Sequence, residues 1–504
     1  MFPLSNSVIA ASVFAITVII PAPLQLAQSA GTVLSVSDPH PDTTAESAAA
    51  RQRVLLWMIL LNAFATPLML SSANVALPSI ADDLSLDAVT LAWVPMVYLM
   101  ASTIFVLIFG RVADTAGRKR IFLIGTAAVI VSSVYAAFSV NSAMLLSARF
   151  AQGVSAAMLY ATQMALVTSA FPAKVRGKMI GLVVSCIYVG LSAGPLLGGF
   201  VIDELGWRAA FLLQVPLALV VLMLGVFKVE GEWRGRTRVP FDMPGAIGWG
   251  ISIVLFCVGV SRLPDTSGLL ILGASAVSIT LFLRHARRSA HPIWDVNLFF
   301  NNRVFTVSSL VSLLMYSATY AIVVLMSLYL QTLQGLSATN AGMVLMIQPV
   351  IMASLAPVSG RLSDRVEPRI LATAGITITT IGLLMLSRLD ADTSLLYVIG
   401  SLVMTGSGFS LFSPPNVNAI MGSVSDEHAG SASGAVATTR LIGQLNSMVL
   451  VTLALALMMG NTPISPETYP ELARAVELSF GIGVALCVPA IVLSLLRGRV
   501  HPQR

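Results

Sequence analysis

The chain is built from apolar stretches of about 20 residues, the length a helix needs to cross the hydrocarbon of a bilayer. Reading for such stretches finds fourteen spans, the first near 54–76 and the last near 474–497, separated by short polar connections. Of 504 residues 56% are apolar and only 10% charged, whereas a soluble domain carries roughly 25% charged residues. The sequence therefore specifies an all-α membrane protein with 14 transmembrane helices. No connection between spans is long enough to fold as a soluble domain.

The 29 lysines and arginines are distributed unevenly. Most fall in connections on one side, including Arg118–Arg120, Lys174–Lys178, Arg234–Arg238, Arg284–Arg288 and Arg497–Arg504, while the other side holds Arg208, Arg262, Arg388 and Arg474. Positive charge stays cytoplasmic, so the membrane core is expected to start and end inside the cell. The net charge of +6 is thus topology, and no nucleic-acid partner is expected. Cys186, Cys257 and Cys487 all lie in apolar segments, which argues against a disulfide framework. There is no Gly-x-x-x-x-Gly-Lys-Ser/Thr phosphate loop, no His-Glu-x-x-His and no carboxylate pair, and Gly430–Gly434 is wrongly spaced for a nucleophile elbow. Neither an enzyme nor an ATP-driven pump is expected, and no cofactor or metal site is called for.

Two segments echo each other 250 residues apart: Gly110-Arg-Val-Ala-Asp114 and Gly360-Arg-Leu-Ser-Asp364. Each closes an apolar span and leads into a basic loop, so the protein is expected to contain two related halves. The longer first copy continues through Gly117-Arg118-Lys119-Arg120 and resembles the loop between helices 2 and 3 of the major facilitator superfamily of transporters. Gly110 removes a side chain so that its helix can approach a neighbour. Asp114 can accept backbone N–H groups or pair with Arg118, and Arg118–Arg120 are placed to meet anionic lipid headgroups. The resemblance implies a conformational latch made by Gly110, Asp114, Gly117, Arg118, Gly360 and Asp364 that favours the outward-facing state. It also implies a substrate site between two bundles near mid-membrane, opened to each side in turn.

Further segments extend the resemblance over most of residues 54–460. Leu145-x-x-x-Arg149-Phe-Ala-Gln152-Gly153 matches the superfamily's helix 4 motif. Gly190-Leu-Ser-Ala-Gly194-Pro195-Leu-Leu-Gly198-Gly199 matches the helix 5 motif of its antiporters, where small residues bare one helix face and the proline permits a kink. Trp207-Arg208-x-x-Phe211-x-x-Gln214-x-Pro216, Phe241-Asp242-x-x-Gly245, Tyr329-Leu-Gln331, Gly342, Pro349 and Gly430-Ser-Ala-Ser-Gly434 leading to Arg440 resemble the fourteen-helix drug:proton antiporter branch. The implied architecture is two six-helix bundles, over 51–230 and 301–504, with a linker and two inserted helices over 231–300.

One departure from that branch bears on function. Its members usually carry a membrane-embedded Asp five residues before an Asn-Val-Ala-Leu-Pro run. Here the run is Asn74–Pro78 and the aligned residue is Met69. All 23 Asp and Glu, and all five His, lie in connections, at span ends or in the N-terminal segment. What remains inside is positive: Arg149 and Arg440. An arginine at mid-membrane costs roughly 2.5–3.5 kcal/mol on insertion scales and so faces a wet cavity or a partner. Each is either a structural residue bonded to carbonyls and amides or a group acting in coupling or anion binding. Met69, Asn74, Gln152, Gln163, Gln348 and Asn416 are candidate cavity residues, with Asn418 and Gln444 as further polar neighbours. Tyr98, Tyr160, Tyr188, Tyr316 and Tyr320 are either packing residues or the lining of a pocket for hydrophobic or cationic compounds.

Residues 1–50 read as an apolar, dispensable extension whose last part, Asp38–Ala50, is an unstructured linker. The expected activity is secondary active transport, proton-coupled efflux of amphipathic small molecules across the cell membrane. The alternative is a facilitator or exchanger for an anionic or neutral metabolite. The partners are the small-molecule substrate, membrane lipids and, for the first reading, protons.

Overall fold

The computed structural model describes residues 43–235, 240–363, 365–424, 429–460 and 462–498. Asp364 and the expected extension up to residue 42 lie outside the described residues. All regular structure described is helical. The main helices of the first half are α1 (Thr43–Val75), α2 (Ala88–Ala116), α3 (Arg118–Ala137), α4 (Ser142–Ala170), α5 (Ala173–Leu205) and α6 (Trp207–Phe227). Then come α7 (Met243–Ser261) and α8 (Thr266–Arg288). The second half holds α9 (Arg303–Leu333), α10 (Ala338–Ser363), α11 (Pro368–Leu386), α12 (Leu395–Gly422), α13 (Ala429–Met458) and α14 (Tyr469–Leu496). Thirteen of these are long and apolar enough to cross a membrane by length and composition. The other is α4, 29 residues long, whose apolar character is diluted by Arg149, Gln152, Gln163 and several hydroxyls.

Local chemistry sets where the helices begin. Asp87, Asn141, Asn302 and Ser394 cap α2, α4, α9 and α12 by accepting the backbone N–H three residues on, and Pro368 opens α11. The Asn74–Pro78 run ends α1 and starts a short helix, Leu77–Leu84, with Pro78 in its first turn. One expectation is corrected at the start of the chain. The segment from Thr43 to Ala50 is helical rather than an unstructured linker, in keeping with its alanine-rich composition.

The packing repeats with an offset of eight helices. In the first half α1 packs on α5 and α6, α3 on α4 and α6, and α2 on α4. In the second half α9 packs on α13 and α14, α11 on α12 and α14, and α10 on α12. Gly110 and Gly360, which open the two Gly-Arg-x-x-Asp copies, occupy equivalent places near the ends of α2 and α10. The main pairings that cross between the bundles are α2 with α13 and α5 with α10, which are partners under the same offset.

The inserted pair leans on the first of these seams. Helix α7 contacts α2 and α13, and Trp249 Nε1 donates to Thr103 O of α2 at 3.1 Å. Asp242, buried at the start of α7, joins the pair. Its carboxylate accepts from His285 Nε2 at 2.7 Å, Gly245 N at 3.1 Å and Ile293 N at 3.3 Å. Desolvation raises its pKa, but these donors outweigh it and hold the carboxyl below the ordinary value of 3.8. A depressed carboxyl contributes stability above its unfolded value and loses it as pH falls through the folded one. Asp242→Asn should therefore lower the melting temperature of purified protein at pH 7, with the deficit closing once pH drops below 3.8. A deficit equally large at pH 3 would assign Asp242 a packing role instead.

Candidate transport site between the two bundles

Five tyrosines converge where the bundles face each other. Helices α2, α4 and α5 bring Tyr98, Tyr160 and Tyr188, and α9 brings Tyr316 and Tyr320 from the opposite bundle. The Tyr98 and Tyr160 hydroxyls are 3.1 Å apart. Tyr160 and Tyr320 lie within electrostatic reach of both Arg149 and Arg440. Arg440 also reaches Tyr188 and Tyr316, its guanidinium standing 5.5 Å from the Tyr316 ring centroid. The Tyr316 ring packs edge-on against Phe409 at 5.4 Å. Four of the tyrosines and Arg440 are half-buried, with Tyr98 fully buried. The meeting place of the two halves thus carries aromatic faces and two cations, contributed by both.

Arg149 is fully buried. Its Nε donates to Val94 O at 3.2 Å and its Nη1 to Gln152 Oε1 at 2.9 Å. The guanidinium lies 4.6 Å from the Tyr98 ring centroid. Nη1 also rests 3.7 Å from the sulfur of Met69, so the residue that departs from the antiporter pattern touches the buried cation. Nη2 is buried with no hydrogen-bond partner. None of the ion pairs among the described residues includes Arg149 or Arg440. Beside them, the Tyr320 hydroxyl is buried next to Asn74 without a hydrogen bond of normal geometry.

The other candidate cavity residues are engaged within single bundles. Gln152 donates to Ser133 Oγ at 3.0 Å, which Gln214 also reaches at 2.8 Å, making a closed network of α3, α4 and α6. Gln163 accepts from Asn62 at 2.7 Å and ties α4 to α1. Gln348 lies 3.4 Å from Thr405 Oγ1, between α10 and α12. Asn416 bridges Ser308 O, Ser312 Oγ and Arg497 at 2.8–3.0 Å. These four are corrected from cavity lining to bundle cement, because a buried amide spends its polar groups on the nearest helix. Arg497, expected in a basic tail, is fully buried in that cement. Desolvation, only partly offset by the charge of Glu367, brings its pKa down to about 10.

The side away from the basic loops is closed. Added Cβ atoms at Gly190, Gly194 and Gly198 would strike α1, one at Gly199 would strike Ala338 O, and one at Gly342 would strike Pro195 O. Gln331 donates to Val75 O at 2.9 Å, and Ala88 N to Thr462 O at 3.1 Å. Asp203, at the end of α5, accepts from Ala338 N at 3.1 Å, Thr339 N at 2.8 Å and Thr339 Oγ1 at 2.5 Å, so it caps α10 across the bundle interface. No sequence motif marks it; a carboxylate near a span end is indistinguishable from other surface acids.

On the basic side several glycines have no such neighbours among the described residues. A Cβ at Gly110, Gly177, Gly181, Gly360 or Gly434 would meet no atom within 4 Å, so the close approach expected at Gly110 is not made in this state. Asp114 instead pairs with Arg118 at 2.8 Å. The segment after α6 straps the same loop: Gly235 N donates to Asp114 O at 2.8 Å, and Glu232 accepts from Lys119 N at 2.8 Å and Arg120 N at 3.0 Å. Gly117 has φ +115° and sits against Glu232, where a side chain would be strained and blocked.

Two pseudo-repeated bundles, joined tightly on one side and parted on the other around a shared interior, define a multi-pass membrane carrier. Comparison with known proteins gives the family. Residues 59–448 match the Major Facilitator Superfamily, and the chain belongs to it. It is 30% identical to the riboflavin transporter RibZ of Clostridioides difficile over 77% of this chain and 84% of that protein. It is 31% identical to the multidrug efflux pump LfrA of Mycolicibacterium smegmatis over 84% of this chain and 85% of that one. A bacterial homologue of the human lysosomal transporter Spinster, in an inward-facing and unoccupied conformation, superposes with a TM-score of 0.64 at 16% identity, covering 89% of this chain and 97% of that one.

Removing the cross-interface cap should release the closed side. Hydrogen bonds to a charged acceptor contribute about 1.5–3 kcal/mol each when shielded, less where water competes. Asp203→Ala should therefore raise the population open on that side by roughly fivefold, about 1 kcal/mol. Spin labels at Leu205 and Leu396, both exposed there, read the change as a longer distance distribution. An unchanged distribution would reduce Asp203 to a surface contact.

Proposed function

We propose that this chain is a secondary active transporter of the cell membrane that exports amphipathic, ring-bearing small molecules by alternating access. The single observation carrying this reading is the set of five tyrosines, drawn from both bundles, that meets between them. Aromatic faces accommodate varied planar or apolar bodies without fixed hydrogen-bond geometry, and a site shared by both halves is remade each time they rock. With the chain's ends on the cytoplasmic side, as the basic loops favour, the described state faces inward and receives cargo from the cytoplasm or inner leaflet. The Asp114 and Asp364 loops then close as Asp203 and the α5–α10 contacts let go. Proton exchange is the driving force this reading takes from the family's drug-efflux members.

One observation favours a second reading, exchange or facilitated movement of an anionic or neutral metabolite. Met69 rests against the Arg149 guanidinium, and no ion pair among the described residues brings a carboxylate to Arg149 or Arg440.

Reconstituted protein should accumulate planar aromatic compounds in liposomes, and Tyr320→Ala or Tyr316→Ala should lower the rate about tenfold at equal insertion. Transport indifferent to both substitutions would remove the tyrosine cluster from the pathway. An imposed pH gradient separates the two readings: accumulation against the substrate's own gradient supports proton exchange, and movement only down that gradient supports the facilitator.

A further inference from the structure

Resting on the tyrosine cluster as the transport site, we infer that the substrate itself carries a negative charge, and that its anionic group is drawn to Arg149, which stands beside Met69 rather than a carboxylate, and to Arg440 on the facing bundle.

Three features of the geometry lead there. First, the charge of the interior is unbalanced. Arg149 is fully buried and Arg440 half-buried, and neither has an ion-pair partner among the described residues. An isolated buried guanidinium is costly unless compensated. Second, the compensation is incomplete at named atoms. Arg149 spends Nε and Nη1 on Val94 O and Gln152 Oε1 but leaves Nη2 buried with no hydrogen-bond partner. The Tyr320 hydroxyl, buried beside Asn74 without a hydrogen bond of normal geometry, lies within electrostatic reach of both arginines. Donors lacking acceptors call for an acceptor. Third, the atom against Arg149 Nη1 is a thioether, the Met69 sulfur at 3.7 Å. Methionine is unbranched and pliable, so it fills the volume beside the cation without occupying it chemically and can swing aside.

The tyrosines fit the rest of such a ligand. Arg440 lies over the Tyr316 ring and Arg149 over the Tyr98 ring, so an aromatic body between those rings would bring a carboxylate, sulfonate or phosphate substituent to the guanidiniums. Arginine's planar fork suits each of these groups. A cationic drug would meet two like charges in a water-poor interior, which excludes it more effectively than any steric feature described here.

The test uses full-length protein in liposomes and one naphthalene scaffold bearing a carboxylate, an amide or an amine. The carboxylate should bind and be transported at least about tenfold better than the amine. Arg440→Gln should erase that preference, lowering the carboxylate to the level of the amide. Met69→Asp, which places a fixed carboxylate beside Arg149, should lose the anion and gain the amine. Folding of each variant is checked by its elution as a single species and by its melting temperature, and Met69→Leu is the control for side-chain loss. An amine handled as well as the carboxylate, or a Met69→Asp variant with unaltered preference, overturns the inference while leaving the tyrosine site standing. Indifference of every probe to the tyrosine substitutions overturns the site and the inference together.

Discussion

The two bundles meet most closely where a carbonyl of one helix lies against a residue with no side chain on the other. Pro195 O sits on Gly342 and Ala338 O on Gly199, so α5 and α10 touch backbone to backbone at one end of the molecule. In a bilayer the hydrophobic effect does little to drive helix against helix, and association falls to van der Waals contact and a few polar ties. Whatever lets backbones approach therefore decides which faces stay together. The remaining organisation hangs from this seam. It holds one side together, and the tyrosines of both halves meet away from it.

The polar groups of the spans divide into two populations with opposite behaviour. Asn62 with Gln163, Ser133 with Gln152 and Gln214, and Asn416 with Ser308 and Ser312 spend their amides inside one bundle. They make each bundle a rigid body, since breaking a satisfied buried network costs far more than bending around it. Arg149 Nη2, the Tyr320 hydroxyl and Arg440 face the interface and keep unspent capacity. Rigid halves with unsatisfied groups between them are what a carrier needs, because a ligand can then bias the position of whole bodies rather than disturb a single side chain.

Much of this was legible in the residues, and what escaped was escaped for physical reasons. Apolar run length located the spans, because a bilayer imposes a minimum helix length that chance rarely meets. The glycines of α5 and the Met69 departure could be singled out from spacing and motif. Facing could not. A glutamine in a span reads the same whether it lines a cavity or bonds to the next helix, and Gln152, Gln163, Gln348 and Asn416 all proved to do the latter. The tyrosines posed the same ambiguity, and their meeting between the bundles is what the proposed site rests on. Asp203 and Glu232 act through backbone N–H groups of segments more than 100 residues distant, and no local pattern encodes such partners.

The inserted pair gives the carrier two unlike flanks. Helix α7 lies along the seam between α2 and α13, with Trp249 anchored on Thr103, so that flank is walled by protein. The opposite seam, between α5 and α10, has no such cover among the described residues. A compound dissolved in the lipid rather than in water thus encounters a molecule with a blind side and a bare one. Its route from the bilayer to the cleft is set by which flank it meets, and the two extra helices act as a baffle that the two bundles alone would lack.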